Sequence, residues 1–492
     1  MLRVLGSRKR FCTGPSRRDA LWAGGLSLFG LSLTDYLRAA PATPQAADRS
    51  FGRAKNCILL YLYGSPSQLE LADMKPDAPL EIRGELKPIR STLPGCDVCE
   101  LMPNAARVMD RVMVVRSVTH KYPIHGVAYA TTGVPEIDIP MELNPHDGRH
   151  WPFIGSVIAY LEERRKKPGP VPDNIALPWS FSSRRVGEVP RAGPYPAFLG
   201  GAYAPHFTEF VGEATREITK TLTDKKETFK EPYVGIRPDA RFTLGDTGTA
   251  FDLTVDRLNA RRSLSEQFDA ARSGRDASVG AFDKHRQMAY SLIGTRTVRD
   301  ALDVACEPIG LRENYGMTVF GQGCLAARRL VEAGSKFVTV FWDEFGLAGS
   351  GWDTHWEHYT RMKNELMPGF DRAFYGLISD LDQRGMLDET LVVILSEHGR
   401  TPKITPGNGG GRDHWAQAYT ALFAGGGTAR GKVVGKTDKI GGTVTDRPVS
   451  PKDLLATVYH LLGYDADTLL RDKTGRPQPL LSAGSVVREV LA

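Results

Sequence analysis

Histidine and carboxylate side chains occur at sequence positions that are typical of a functional site. Glu397 and His398 directly follow the apolar run 391–395, which predicts a buried β-strand, and His414 comes just after the glycine-rich segment 407–411. Imidazole and carboxylate groups are ligands that zinc and similar divalent ions prefer. The alternative is that both histidines are buried, hydrogen-bonded side chains with a structural role. Their positions after a strand and a glycine-rich loop favour a metal or anion site.

Further candidates for this site lie elsewhere in the chain. Asp353 and His355 form a second acidic-plus-histidine pair, although a helix N-cap explains Asp353 equally well. Glu70 follows the first predicted strand, 57–63, and is a candidate for an additional metal ligand. His125 lies in the loop after the second predicted strand, where it is either a site residue or part of the loop packing.

The elements that must position these residues alternate between strands and helices. The predicted strands are 57–63, 112–115, 337–341, 391–395 and 419–423. The predicted helices are 103–109, 151–163, 317–333, a long helix that ends at Gly385, and 454–462. This order predicts an α/β fold with a mostly parallel central sheet and helices on both faces. Because the carboxyl ends of parallel strands share one edge of a sheet, the candidate residues are expected to converge there.

The segment around 165–300 interrupts this alternation. It is rich in proline, glycine and aromatic residues up to about residue 230, and polar with helical periodicity from 250 to 300. Its length predicts an ordered excursion from the domain, placed as a cap over the site.

The N-terminal residues have the order of charge and hydropathy that export signals show. Arg17 and Arg18 form a twin-arginine pattern, a weakly apolar stretch covers 20–33, and small residues at 40–42 suit cleavage. An N-terminal helix with a chance arginine pair is the alternative. The pattern favours a signal peptide and linker over residues 1–47. It therefore predicts passage through the twin-arginine export machinery to the periplasm or the outside of the cell. No later segment is long and apolar enough to predict a membrane span.

Composition narrows the range of partners. Charged residues make up 24% of the chain and the net charge is +6, without a basic run, which argues against nucleic-acid binding. Cys96 and Cys99 have redox or zinc-ribbon spacing without a second pair, so they predict either a surface disulfide or two unrelated thiols.

Long stretches of the sequence resemble an exported bacterial family known as domain of unknown function 1501. The stretches are MKPDAPLEIRGELKPI, WDTHWEHY, LDQRGMLDETLVVILSEHGRTPKI, GGGRDHW and PVSPKDLLATVYHLLG. That family is itself similar to the alkaline phosphatase and sulfatase superfamily. The resemblance therefore implies an alkaline phosphatase-like fold for residues 48–492.

The superfamily resemblance implies roles for the metal-ligand candidates. An Asp-His pair after a core strand and a later histidine bind two metals there. Glu397, His398 and His414 correspond to these residues, and Asp353 with His355 resembles the second acidic-plus-histidine element. The expected cofactor is one or two divalent ions, with zinc as the leading candidate.

One departure from the family pattern concerns the first strand. Family members commonly carry His-x-Asp after it, where this chain has Gln68, Leu69 and Glu70. Glutamine is a poor zinc ligand, so Glu70 is the candidate to reach a second metal, and Asp73 keeps a further acidic residue nearby.

The nucleophile and the anion-binding groups are less clearly marked. The superfamily's nucleophilic hydroxyl falls at Lys121 here, and Thr119 and Ser117 are the nearest hydroxyls, of which Thr119 is the candidate. A guanidinium group can bind the oxygens of an anionic ester with two parallel hydrogen bonds. Arg400 is therefore a catalytic candidate, and Arg412 and His125 are candidates for substrate binding.

Two functions fit these features. The first is an exported, metal-dependent hydrolase of phosphate or sulfate esters, carried by small molecules or by polysaccharide. The second is a catalytically degenerate relative that binds anionic glycans or surface partners without turning them over. The hydrolase is the leading prediction and the binder is the alternative, which the departure at Gln68 and the absence of an evident nucleophile favour.

Overall fold

The computed structural model describes residues 49–492 except for 123, 126, 135–137, 166–168, 170, 187–190, 223–224, 245–295, 348, 466, 473 and 482–483. The predicted signal peptide and nearly all of the predicted helical region 250–300 lie outside the described residues. Among the described residues, no helix combines the length and the apolar character that crossing a membrane requires.

In the described part of the chain, nine strands form the central sheet. In chain order they are β1 (Asn56–Leu62), β2 (Val112–Val118), β3 (Asn174–Leu177), β4 (His206–Val211), β5 (Arg241–Leu244), β6 (Phe337–Trp342), β7 (Thr390–Leu395), β8 (Tyr419–Ala424) and β9 (Lys432–Val434). Their order across the sheet is β9-β2-β8-β7-β1-β6-β3-β4-β5. β8 pairs antiparallel with β7 and β2, and β5 pairs antiparallel with β4, whereas the other pairs are parallel. The predicted mostly parallel α/β sheet is confirmed.

Helices cover both faces of this sheet. The four long ones are α1 (Ile154–Arg165), α2 (Val319–Glu332), α3 (Met367–Gln383) and α4 (Pro451–Leu461). In β1, Ile58 and Leu60 belong to the same buried cluster as α2 and α3, while Cys57 and Leu59 belong to the cluster that holds α1 and α4. Because both faces are covered, β1 is apolar at nearly every position instead of alternating.

Shorter elements complete the described structure. The short helices are Gln68–Leu71, Leu80–Arg83, Ala105–Arg111, Val127–Thr132, Ile139–Glu142, Ala197–Leu199, Gly201–Tyr203, Arg296–Leu302, Val304–Cys306, Ile309–Tyr315, His358–Arg361, Met362–Leu366 and Arg488–Val490. The two-stranded ribbons pair Pro88–Ile89 with Val98–Cys99, Glu217–Leu222 with Lys225–Lys230, Gly399–Arg400 with His414–Trp415, Lys436–Thr437 with Val444–Asp446, and Leu469–Arg471 with Pro477–Pro479.

Two expectations are refined by the structure. The described part of the 165–300 excursion supplies β3, β4 and β5, so it extends the central sheet. Cys96 and Cys99 are buried free thiols, which removes the surface disulfide and leaves the alternative of two unrelated thiols.

The turn after β1 packs tightly against the loop that carries Asp353. Gly64 has a φ of +92°, and a Cβ placed on it would lie 2.3 Å from the backbone nitrogen of Asp353. Only glycine combines this left-handed conformation with such close approach. The two loops are therefore held in one fixed arrangement at the carboxyl edge of the sheet.

We expect Gly64→Ala to destabilise the fold by about 2–5 kcal/mol, because it adds a steric clash to the strain of a left-handed alanine. Gly385→Ala is the matched control, since Gly385 also has a positive φ, +69°, but nothing lies within 4 Å of its added Cβ. That control should lose only about 1–2 kcal/mol. Urea unfolding measures both, and equal losses would contradict the close packing of the two loops.

Candidate functional site

Three histidines surround the carboxylate of Asp353 at the carboxyl edge of the sheet. Its Oδ1 lies 3.0 Å from Nε2 of His355 and 3.2 Å from Nε2 of His414, and its Oδ2 lies 3.3 Å from Nε2 of His125. Nε2 of His355 is also 3.0 Å from Nε2 of His414. The structure thus brings together residues from three separate parts of the chain, as the sheet topology predicts.

His398 joins this group from the end of β7. Its ring centre is 4.5 Å from that of His414 and 5.6 Å from that of His125. Its Nδ1 donates to the carbonyl of Gly399 at 2.8 Å, so the lone pair is on Nε2. That Nε2 is fully buried and has no hydrogen-bond partner among the described residues. Burial, reinforced by the nearby His414 and Arg400, holds the pKa of His398 well below its usual value, so the ring is neutral.

Within the described residues, two groups of side chains have the spacing to hold a metal ion. One is His125, His398 and His414, and the other is Asp353, His355 and His414. In each group one potential ligand atom per residue lies within 4.8 Å of the others. Because His414 belongs to both, the two groups form a single continuous cluster, which we call the histidine cluster.

Two carboxylates orient the imidazoles of the histidine cluster from outside. Glu397 accepts from the backbone nitrogen of Gly64 at 2.7 Å, and its Oε1 lies 3.0 Å from Nδ1 of His125. Asp413 Oδ1 lies 2.7 Å from Nδ1 of His355. A carboxylate on Nδ1 fixes the ring and points Nε2 inward, as in many metal sites. Glu397, predicted as a metal ligand, therefore contacts the outer nitrogen of His125 instead. Asp413 does the same for His355, and it was not predicted although it is next to His414 in the sequence.

The charges in the cluster shift the pKa values of its members. Burial alone would lower the pKa of His125, but Asp353 and Glu397 outweigh it and raise the pKa to about 9. Burial would raise the pKa of Asp353, and the Arg400 guanidinium and His125 instead hold it well below its usual range. His125 is therefore protonated and lies between the carboxylates of Asp353 and Glu397.

Arg400 lies under the cluster and is fully buried. It donates from Nη2 to Asp353 at 2.6 Å and to the carbonyl of Gly64, from Nε to the carbonyl of Ser65 at 3.1 Å, and from Nη1 to the carbonyl of Arg412 at 3.1 Å. These hydrogen bonds occupy the group that was predicted to hold a substrate anion. The position of Arg400 is that of a connector between loops.

Arg412 and Glu70 form a separate ion pair in which both side chains are fully buried. Arg412 reaches Glu70 Oε1 at 2.6 Å from Nη2 and at 3.1 Å from Nε, and Nη2 also donates to the carbonyl of Ile82. His358 Nε2 lies 3.5 Å from the same Glu70 oxygen. The structure places neither the predicted ligand Glu70 nor the predicted anion binder Arg412 in the histidine cluster.

Gln68, the residue at which the sequence departs from the expected pattern, makes hydrogen bonds only to backbone groups. Its Nε2 donates to the carbonyls of Arg400 and Gly441, both at 2.9 Å, and its Oε1 accepts from the backbone nitrogen of Arg400 at 3.0 Å. The carboxamide therefore links three segments through backbone hydrogen bonds.

Thr119 and His414 line the same cleft, whose volume is about 550 Å³. The alternative hydroxyl, Ser117, is fully buried and absent from this lining. His120 beside Thr119 lies 2.8 Å through Nε2 from the carbonyl of Glu397, and burial lowers its pKa to about 4. Of the two candidate nucleophiles, Thr119 is the one with access to a ligand.

The sequence matches the family described as "Protein of unknown function (DUF1501)" over residues 54–491. The chain belongs to this family. No functionally curated protein matches it.

Several solved structures are distantly similar. The PsFucS1 sulfatase from Pseudoalteromonas sp. is 11% identical, with a TM-score of 0.36 over 85% of this chain and 70% of that one. The protein Ps i-CgsB is 13% identical, with a TM-score of 0.34 over 84% and 72%. The phosphonate monoester hydrolase SpPMH from Silicibacter pomeroyi is 12% identical, with a TM-score of 0.31 over 88% and 76%. Likeness at this level supports no inference about activity.

We expect Glu70→Gln to destabilise the protein by about 3–5 kcal/mol at neutral pH, because it leaves Arg412 buried without a counter-charge. Burial raises the pKa of Glu70, but Arg412 and then His358 overcome this and lower it from 4.5 to about 2. The contribution of the carboxylate is therefore complete above about pH 4.5 and is lost as the pH falls towards 2.

The difference in urea midpoint between wild type and Glu70→Gln should accordingly shrink below pH 4.5. Glu389→Gln is the control, since the Lys55–Glu389 pair is 67% and 53% exposed and should contribute less than about 1 kcal/mol. A Glu70→Gln variant as stable as this control would show that the buried pair does not form.

Proposed function

We propose that the protein is a metal-dependent hydrolase of phosphate or sulfate esters. The metal would be held by His125, His398 and His414, or by Asp353, His355 and His414, and binding to His125 would displace its proton. The observation that carries the proposal is the buried Nε2 of His398, which has a lone pair and no partner among the described residues. A buried polar atom of this kind is normally satisfied, and a metal ion in the histidine cluster would satisfy it.

The donor set suits zinc better than calcium or magnesium. Imidazole nitrogens dominate and Asp353 is the carboxylate among them, whereas calcium and magnesium take oxygen ligands. The contacts of His355 with Asp413 and of His398 with the Gly399 carbonyl supply the outer hydrogen bonds that zinc-bound histidines usually make. One ion fits either group, and a second would have to share or divide the ligands around His414.

A divalent ion there would polarise the ester and stabilise the negative charge that develops on its leaving oxygen. Thr119 is our candidate for the nucleophile, because it shares the cleft with His414. His120, neutral and held by the Glu397 carbonyl, fixes the backbone beside Thr119. Esters on polysaccharide are included in the proposed substrate class, since the cleft is open to solvent at Gln417 and Thr443.

A second candidate is a catalytically degenerate protein that binds anionic glycans or surface partners. The observation that favours it is the first-strand loop, where Gln68 and Glu70 are both committed to structural contacts away from the histidine cluster. In this second candidate the first-strand loop supplies no carboxylate to the cluster, and the site binds anions without turning them over.

We also propose that the protein acts after export, in the periplasm or outside the cell. The support is the twin-arginine pattern at Arg17 and Arg18 followed by the apolar stretch 20–33.

We expect the protein purified without chelator to contain one or two equivalents of a divalent metal, and His398→Ala to lose most of it. His146→Ala is the matched control, because His146 is exposed and outside the cluster. Elemental analysis gives the metal content, and thermal unfolding checks that each variant is folded. A metal-free wild-type protein whose stability is unchanged by chelator would overturn the metal site and leave the binding alternative.

For the ester hydrolase, we expect Thr119→Ala to lower kcat roughly a thousandfold or more, and Thr119→Ser to retain part of the activity, because only serine keeps a hydroxyl. Ser117→Ala should leave kcat nearly unchanged, although its buried position can lower stability. The measurement is release of phosphate or sulfate from aryl esters. An active Thr119→Ala variant would exclude Thr119 as the nucleophile.

A further inference from the structure

The cleft beside the histidine cluster has the size of a small-molecule binding site. Its volume of about 550 Å³ lies within the range of roughly 300–1,000 Å³ that such sites occupy. His414 belongs both to its wall and to the histidine cluster. A ligand in the cleft would therefore contact the cluster at one end and extend away from it.

Lys121 is the charged side chain of this cleft. It is exposed, and among the described residues it forms no ion pair. The two histidines of the lining are already engaged, since Nε2 of His120 lies 2.8 Å from the carbonyl of Glu397 and Nε2 of His414 lies 3.2 Å from Asp353. The described lining contains no carboxylate. The cleft thus attracts anions and has one cation with which to bind them.

Trp415 provides a flat apolar surface in the same cleft. Its Nε1 donates to the carbonyl of Gly442 at 2.6 Å, and its backbone pairs with Gly399 in the ribbon that also holds His414. The indole is therefore fixed, its hydrogen-bond donor is used, and it offers carbon surface to a ligand. Gln417 and Thr119 add polar groups around this surface.

We propose that this cleft binds the ring of an anionic sugar ester, with Lys121 paired to the anionic group and the sugar ring packed on Trp415. A charge beside a fixed aromatic face and neutral polar groups matches a ring that carries hydroxyls and one sulfate or phosphate. The identity of the reacting group rests on the proposed hydrolase function. Binding itself does not, because Lys121 and Trp415 lie outside the histidine cluster.

Calorimetry on the full chain tests this proposal with four probes: a hexose 6-sulfate, the matching 6-phosphate, the free hexose and inorganic sulfate. We expect an ester to bind wild type, and binding to remain measurable in the metal-site variant His398→Ala, because Lys121 and Trp415 are unchanged there. Lys121→Met should weaken that binding about tenfold and Lys121→Arg should restore most of it. Lys432→Met, an exposed lysine outside the cleft, is the matched control and should bind as wild type does. Preference for the sulfate or the phosphate probe identifies the anion.

Three results would overturn the proposal. Unchanged binding in Lys121→Met would exclude the lysine, and inorganic sulfate binding as tightly as the sugar ester would exclude the ring on Trp415. If His398→Ala lost binding while Lys121→Met kept it, the ligand would be bound by the metal alone. That last result would support the proposed metal site and reject the cleft as the binding site. Binding that depends on Lys121 in a protein without metal would support the cleft and reject the metal site.

Discussion

The arrangement of the site depends on the buried guanidinium of Arg400. A buried cation must be surrounded by acceptors, because its desolvation is otherwise prohibitive. Here the acceptors are Asp353 and the carbonyls of Gly64, Ser65 and Arg412, which belong to three different loops. Satisfying one side chain therefore brings together the turn after β1, the Asp353 loop and the loop segment before His414. The histidine cluster lies where these loops meet.

Other buried polar side chains also donate hydrogen bonds to the carbonyls of neighbouring loops. Arg361 donates from Nη2 to the carbonyls of Gly349 and Ser350 at 2.9 and 2.8 Å, and from Nη1 to the Asp353 carbonyl at 2.9 Å. Loops at the edge of a sheet have no ladder in which to pair their carbonyls, so side chains with several donors must pair them instead. Arg361, Arg412 and Gln68 do this around the cluster, and the loops gain the rigidity that a set of preorganised ligands requires.

The sequence is sufficient to predict the parts of the fold that have strong local signals. The apolar runs that become β1 and β7 are buried on both faces, and their pattern leaves little choice. The short strands β3, β4 and β5 were missed, because runs of four to six residues in or just after a proline- and glycine-rich segment carry no periodicity that distinguishes them from loop. Their place in the sheet is decided by pairing with distant residues, which local pattern does not encode.

The same distinction explains the outcome at the site. His398, His355 and Asp353 were predicted together because they follow strands that end at the same sheet edge, and His414 was added because it follows the glycine-rich loop 407–411. Sequence alone could not tell which charged neighbours face the cluster and which face each other. Glu397 turns towards His125 and Gly64, and Glu70 turns away to Arg412. Which charged side chains face the cluster is set by the pairing of buried charges in the folded protein. Until that pairing is known, every carboxylate and guanidinium near the sheet edge is an equal candidate for the site.

This sorting of charges has a chemical consequence. With Glu70 neutralised by Arg412 and Glu397 placed behind His125, the inward-facing donors are four imidazoles and the one carboxylate of Asp353. Asp353 in turn shares its charge with Arg400. A pocket of this kind has too little negative charge and too few oxygens for calcium or magnesium, and it matches borderline ions that accept neutral nitrogen ligands. Under the proposed function, the buried arginines that assemble the loops thus also limit which ions the site would hold.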